Sequence, residues 1–509
     1  MALVLCFTIY FLIVIFLYRR KEQDLFSSNS NWVINAVSLF AVNTSFYNAL
    51  LYSGVFIENG IQGLWLFWSF ILFTGLVPFV FAPLWSRLQF ITDNQFILLR
   101  FSGFSAKVLH VFRAAYLGMI IIPILISFQL IMILKINDAV FQMKQSWLLV
   151  ILVALLLLLT WKNSLKSNLK FDVFNASIVL IGLMISAIYL ACQTDHQLNR
   201  DFSSAFPENG AIYFFLVLQC ISVSLFDGGG TESQRFIHLK SPQNAWKAAA
   251  LYVFLSGLFS LLIAGILIMS DGLDQPSIEG DQELYILYYL RSETPEWLFV
   301  LILAGILGSF LSTFQGFLNW GGGLITKDLL QTYVLTDLSS KKEFFSGKIA
   351  MLLIALISAL VTLYYDDLYS LITFFFSISA GVAPVFILRW FWYRMNAWSQ
   401  LSAMLSSGFY TVLYSWILNK LYFFDHLKSA LSVNEYFIQL LFVTICTTIT
   451  WLAVTFLTRA DSDETINTFK HALRLQSGYL KATIFKSLIF GMVMLFLFCL
   501  GLYFWMVVV

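Results

Sequence analysis

The sequence predicts an all-α polytopic membrane protein of about fourteen transmembrane helices, with a five-plus-five inverted-repeat core and flanking helices. Three observations carry this. Of 509 residues, 60% are hydrophobic, only 11% are charged and 52 are Phe, a composition outside that of soluble domains. Apolar runs near the roughly 20 residues needed to cross a bilayer recur at 2–18, 33–57, 62–86, 108–135, 145–161, 172–192, 211–235, 248–270, 296–325, 348–364, 368–390, 400–419, 434–458 and 485–508. Two of these runs, five spans apart, are interrupted at mid-depth by polar or glycine residues.

In chain order, residues 1–20 form an N-terminal anchor. No basic residue precedes its apolar run and Arg19, Arg20 and Lys21 follow it, the reverse of a signal peptide's charge order. Its N-terminus is therefore expected outside. With that orientation the connections on the cytoplasmic side hold 23 of the 30 Lys and Arg. The other side holds six, namely Lys135, Lys144, Arg200, Arg291, Lys420 and Lys428, and Arg113 lies within a span. The asymmetry has the sign of the positive-inside rule, so both termini are expected outside a plasma membrane. The net charge of +2 is no sign of nucleic acid, since the cations sit at membrane edges. Cys6, Cys192, Cys220, Cys446 and Cys499 are scattered, which suggests neither a disulfide framework nor a metal site.

Residues 32–192 read as a first repeat of five spans, 211–396 as a second, and 399–509 as accessory helices. The first span of the first repeat is apolar to Phe40 and then runs Ala41-Val-Asn43-Thr44-Ser45-Phe-Tyr47-Asn48. Asn at mid-membrane depth either bonds a neighbouring helix or faces a cavity. The corresponding span of the second repeat breaks at Asp227-Gly228-Gly229-Gly230-Thr231-Glu232. Three successive glycines do not hold a helix, and unwound backbone at membrane depth is tolerated where protein or water surrounds it. Paired breaks of this kind point to a transporter whose site lies between them. The candidate solute ligands are Asn43, Ser45, Asn48, Asp227, Gly229, Thr231 and Glu232, suited to a small polar molecule. Asp227 has a competing reading, as the cap of the half-helix that follows.

Residues 297–330 are a membrane-length run with polar groups on one face: Gly305, Ser309, Ser312, Thr313, Gly316, Asn319, Trp320 and Gly323. Adjacent hydroxyls such as Ser312 and Thr313 either bond the preceding helical turn or a neighbouring helix, or serve as hard donors to a small cation.

Ser312-Thr313, Asn319, Thr326 and Asp328, followed by Leu-Leu-Gln-Thr-Tyr333, resemble the eighth core helix of sodium/solute symporters of the sodium/glucose and sodium/proline type. Further resemblances follow the family's order. Gln234-Arg235, Lys240-Ser241, Ala245 and Lys247 look like the exit of its sixth core helix. Gly381-Val-Ala-Pro384 through Arg389-Trp-Phe-Trp392-Tyr-Arg394-Met-Asn396-Ala-Trp398 resembles the end of its tenth. Asn163-Ser-Leu165-Lys166 before Asp172 takes the place of its Gly-Gly-Leu-Lys and Thr-Asp, without the double glycine.

The resemblance implies a LeuT-type core and a symporter importing a small polar organic solute by alternating access, with Na+ as coupling ion and no organic cofactor. The alternative is a non-transporting, solute-responsive sensor of the same fold. Sodium would be held by the Ser312 and Thr313 hydroxyls with carbonyls of Ala41, Thr44 and Ser309. Asp172 would lie near its inward exit, against a residue-level reading as an interfacial helix-start carboxylate. Where sugar symporters carry a lysine and a glutamine, this chain has Ser256 and Ile372 or Thr373, so a sugar is not implied.

Asp281 to Arg291 and Glu464 to Lys481 read as amphipathic surface helices, the first as a lid or a packing element. Arg389 is expected to snorkel to the interface. No nucleophile and base constellation, phosphate loop or His/Cys cluster is legible, so enzymatic chemistry is not expected. Lipid and a small solute are the expected partners, without nucleic acid.

Overall fold

The computed structural model describes residues 31–141, 165–193, 202–222, 227–270, 281–335, 339–365, 367–474 and 479–508. The expected anchor at 1–20 and the span at 145–161 lie outside the described residues. The described residues form helices and no strand, as apolar segments that must satisfy every backbone group internally require. Among the described residues eight helices are long and apolar enough to cross a membrane, nine with one bent pair.

The bent pair opens the described chain: α1 (Trp32–Asn43) and α2 (Tyr47–Gly63) meet at 52°. No glycine or proline makes this bend. The Asn43 side chain donates to the Leu39 carbonyl at 3.1 Å and Thr44 turns extended, the local competition that polar side chains bring to a helix. The span expected at 62–86 is a chain of short helical turns from Trp65 to Trp85, with Pro78 and Pro83 removing backbone donors. Long helices follow: α3 (Gly103–Val140) and α4 (Leu165–Gln193).

The span expected at 211–235 is likewise two helices, α5 (Gly210–Ser222) and α6 (Thr231–Leu239). Gly228 and Gly230 before α6 have φ of 68° and 70°, a region open to glycine at little cost. Next come α7 (Pro242–Ser270), α8 (Tyr285–Glu293) and α9 (Glu296–Val334), whose last eleven residues widen into π turns. The remaining helices are α10 (Ser340–Tyr364), α11 (Leu368–Ser379), the short Ala383–Leu388, α12 (Ala397–Trp416), α13 (Tyr422–Leu431), α14 (Glu435–Leu457), α15 (Asp463–Leu473) and α16 (Tyr479–Tyr503). The expected span 368–390 is thus broken too, at Gly381.

Around α1 pack α4, α7 and α9, with α4 lying along α9. The periphery is apolar: Leu360 on α10 and Phe496 on α16 are each 67% exposed. Side chains of this kind facing outward suit hydrocarbon and not water.

Two sequence expectations are corrected here. Arg389 does not snorkel to an interface. It is fully buried, with Nη2 2.6 Å from Asp227 Oδ2 and its guanidinium 4.5 Å from the Phe96 ring. Trp390 Nε1 donates to the same carboxylate at 2.8 Å, and Trp85 Nε1 to the Asp227 carbonyl at 2.8 Å. A buried charge needs its partner and hydrogen bonds, and this nest supplies both, with Phe469 of α15 packed on Phe96 and Trp390.

The second concerns the surface placement of 281–291; its reading as a packing element holds, since Tyr285, Ile286, Leu287, Tyr289 and Leu290 are buried. Just before α8, the Glu283 carboxylate accepts the Leu368 and Tyr369 N–H groups at 2.9 and 3.1 Å, capping α11, and pairs with Lys135 at 2.8 Å.

Two stability predictions follow from these contacts. Arg389→Ala strands the Asp227 charge and is expected to cost about 3–5 kcal/mol. Asp227→Asn combined with Arg389→Met is expected to recover most of the lost melting temperature in detergent. Gly381 and Gly103 share φ of 74°, but a Cβ at Gly381 would lie 2.8 Å from Thr447 Cβ, with nothing within 4 Å of one at Gly103. Gly103→Ala is expected to cost about 1–2 kcal/mol. Gly381→Ala is expected to lower the melting temperature further, by the overpacking of about 1–3 kcal/mol.

Candidate functional site

The α1/α2 break faces the hydroxyl stripe of α9. Helix α1 ends with the Thr44 N–H on the Phe40 carbonyl at 2.8 Å, and the next carbonyl, Ala41 O, accepts from Thr313 Oγ1 at 3.3 Å. Ser309 Oγ accepts the Phe46 N–H at 3.2 Å and lies 3.0 Å from Ser45 Oγ, which donates to Gln129 Oε1 at 2.6 Å. Ala41, Ser45, Ser309 and Thr313 therefore gather neutral oxygens at one unwound point, the donor chemistry that a hard monovalent cation takes.

Of the residues expected to hold sodium, Ser309 reaches the break with its hydroxyl, where its carbonyl was expected; Ser312 accepts from Asn175 Nδ2 of α4 at 2.9 Å; and Thr44, expected through its carbonyl, has its hydroxyl 3.0 Å from that of Ser256. Ser45, expected at the solute, has its hydroxyl between Gln129 and Ser309.

Asp172 lies beyond this cluster, eighth in α4 and not at its start. The helix-start reading fails, because the carboxylate is buried against other helices. Its Oδ2 accepts from Ser38 at 2.5 Å and is 3.5 Å from Arg235 Nη2, while Arg235 Nε bonds Ser38 at 3.0 Å and Nη1 the Thr231 carbonyl at 3.1 Å. A small cavity bounded by Asp172, Arg235, Ser312 and Gln315 shares Gln234 and Asn319 with a larger one of about 570 Å³ that reaches Lys240 and Lys327.

The two breaks touch: Thr231 Oγ1 donates to Asn43 Oδ1 at 2.8 Å. Beside that bond lies a cavity of about 460 Å³, walled by Asn43, Gly229, Thr231 and Glu232 together with Ser256 and many aromatic rings. Asn48 lines a separate, neighbouring space of about 170 Å³. Asp227 reaches neither cavity and does not cap α6, whose N-cap Gly230 has no side-chain bond. Its carboxylate is spent on Arg389.

Sequence reasoning missed Gln129, Asn175 and Asp93. Asp93 Oδ2 pairs with Arg113 at 2.6 Å and takes the Gly230 N–H at 3.4 Å, and its Oδ1 takes Trp320 Nε1 at 3.0 Å. Burial would raise the Asp93 carboxyl, but Arg113 and these hydrogen bonds hold it below its ordinary range. A lone amide in the apolar run 108–135 was the available signal for Gln129. For Asp93, in a loop, no signal existed.

Residues 248–407 match the sodium:solute symporter family. Over 106 residues, 20% of this chain, the sequence is 29% identical to the osmoregulated proline transporter OpuE of Bacillus subtilis (strain 168). That match spans 22% of the relative's length. A Na+-coupled sialic acid symporter, solved in a substrate-bound outward-open state, aligns over 91% of this chain and 98% of its own at a TM-score of 0.69 and 15% identity. This likeness shows a common LeuT-type fold. The family match covers most of α7 through the first half of α12, the segment that contains the hydroxyl stripe of α9.

Proposed function

We propose that this chain is a sodium-coupled secondary transporter that imports a small organic solute by alternating access. The observation that carries the reading is the meeting of the α1/α2 break with Ser309 and Thr313 of α9, next to a second break that walls a solute-sized cavity. Na+ enters as a coupling ion at Ala41, Ser309 and Thr313, with Thr44 and Ser312 at its edge. The solute binds against Asn43, Gly229, Thr231 and Glu232. The chain of cavities past Asp172, Gln234 and Asn319 supports an inward exit for the ion. Residues 32–192 and 211–396 act as the two inverted repeats, with 399–509 accessory to them. The lysine and arginine asymmetry supports a plasma-membrane topology with both termini outside.

The membrane potential contributes roughly 2.3 kcal/mol per charge per 100 mV, so inward sodium flow can drive the solute against a gradient. Thr313→Ala removes one oxygen from the cation cluster. In proteoliposomes the half-saturating sodium concentration for uptake is expected to rise about tenfold, the scale of a 1.4 kcal/mol loss, with the protein still folded. Uptake by Thr313→Ala with the wild-type sodium dependence removes the assignment.

A further inference from the structure

The charge pattern around the central cavity selects among solutes. Four acids surround the two breaks. Asp93, Asp172 and Asp227 each have an arginine at 2.6, 3.5 and 2.6 Å, respectively Arg113, Arg235 and Arg389. Glu232 has no ion pair within 4 Å among the described residues; the Tyr252 hydroxyl is hydrogen-bonded to its carboxylate and Arg235 acts on it from farther away, while its Oε2 accepts no hydrogen bond. Among the described residues it is also the one acid in the cavity wall, which contains no Lys, Arg or His.

Of the other polar groups of the wall, Trp68 Nε1 is a buried donor with no hydrogen-bond partner among the described residues, and most of the rest are engaged with protein. Asn43 accepts from Thr231, Ser256 is bonded to Thr44, Ser260 to Tyr52 at 3.1 Å, and Thr74 to the Ile71 carbonyl at 2.7 Å. A helix N-terminus beside a cavity ordinarily welcomes an anion. At α6 the protein's own carboxylates hold that end, Asp93 on the Gly230 N–H and Glu232 in the first turn. A solute carboxylate would meet no basic side chain and would face the Glu232 charge.

Most of the remaining wall is aromatic, including Tyr47, Trp68, Phe70, Tyr252, Trp320 and Phe375. The Trp320 indole is fixed by its bond to Asp93. Aromatic rings attract desolvated cations through their quadrupoles, and an apolar wall with few polar points fits a ligand that is apolar over most of its surface.

We propose that the cavity binds an organic ammonium ion carried on a mainly apolar body, with Glu232 as its counter-ion and the aromatic wall around it. The proposal rests on the transporter reading and narrows its solute class from small polar molecules in general. The ammonium supplies the contacting cation that Glu232, hydrogen-bonded to Tyr252, lacks, as arginine does for the other three acids.

The test uses the full chain in detergent, titrated with phenethylammonium, 2-phenylethanol and phenylacetate, with tryptophan fluorescence and thermal shift as readouts. Phenethylammonium is expected to bind at least about tenfold more tightly than the neutral and anionic analogues. Glu232→Gln is expected to weaken it by about tenfold or more, the scale of losing a buried charge partner, and to abolish the preference over the alcohol. The proposal is overturned if phenylacetate or 2-phenylethanol matches the ammonium, if the ammonium does not bind, or if its preference survives in Glu232→Gln. Should that variant not fold, the charge series on the wild-type chain decides alone. Sodium added without any organic ligand reports separately on the transporter reading. A sodium shift without ammonium preference overturns this proposal only, and ammonium preference without a sodium shift overturns the coupling.

Discussion

Broken helices inside a membrane leave backbone groups that lipid cannot satisfy, and the architecture of this protein is arranged around two such breaks. One is answered by hydroxyls: Thr313 bonds the Ala41 carbonyl and Ser309 takes the Phe46 N–H. The other is answered by a carboxylate and an indole, with Asp93 on the Gly230 N–H and Trp85 on the Asp227 carbonyl. The bond from Thr231 to Asn43 then joins them. Helices α4, α7 and α9 gather around α1 because their polar residues are the ones able to finish what the breaks leave open.

Charge in this interior is neutralised locally. Arg113, Arg235 and Arg389 come from three different segments, each set against its own aspartate. The Arg235 guanidinium is shared among Ser38 of α1, Asp172 of α4 and the Thr231 carbonyl of α6, so one side chain ties three helices of the core. Its position beside Asp172 means that a carboxylate on the proposed ion path is already partly compensated, and a cation passing there competes with arginine for the same oxygen.

Much of the fold was legible because hydropathy reports directly on membrane crossing and because glycine runs report on broken helices. The break at Gly228 to Gly230 was readable from composition alone. The break after Asn43 was readable only as polar residues at an unfavourable depth. The hydroxyls of Ser309 and Thr313 were legible as a stripe on one helix face. The fate of Asp227 was not, because a carboxylate next to glycines looks the same in sequence whether it meets solute, caps a helix or meets Arg389 some 160 residues later. Asp93 and Asn175 were hidden for a similar reason: their roles come from contacts over 100 residues away in the chain, with Trp320 and Ser312. The aromatic wall was hidden by abundance, since 52 Phe give no hint of which few border a cavity.

Helix α9 carries Thr313 against the Ala41 carbonyl and Trp320 at the cavity wall. Seven residues of helix set these about 10 Å apart, with Phe317 of the same wall between them. On α1 the corresponding contacts, the Ala41 carbonyl and the Asn43 side chain, are only two residues apart. On the proposed assignment the end of α1 is therefore common to ion and solute, so a displacement of that end reaches both places together.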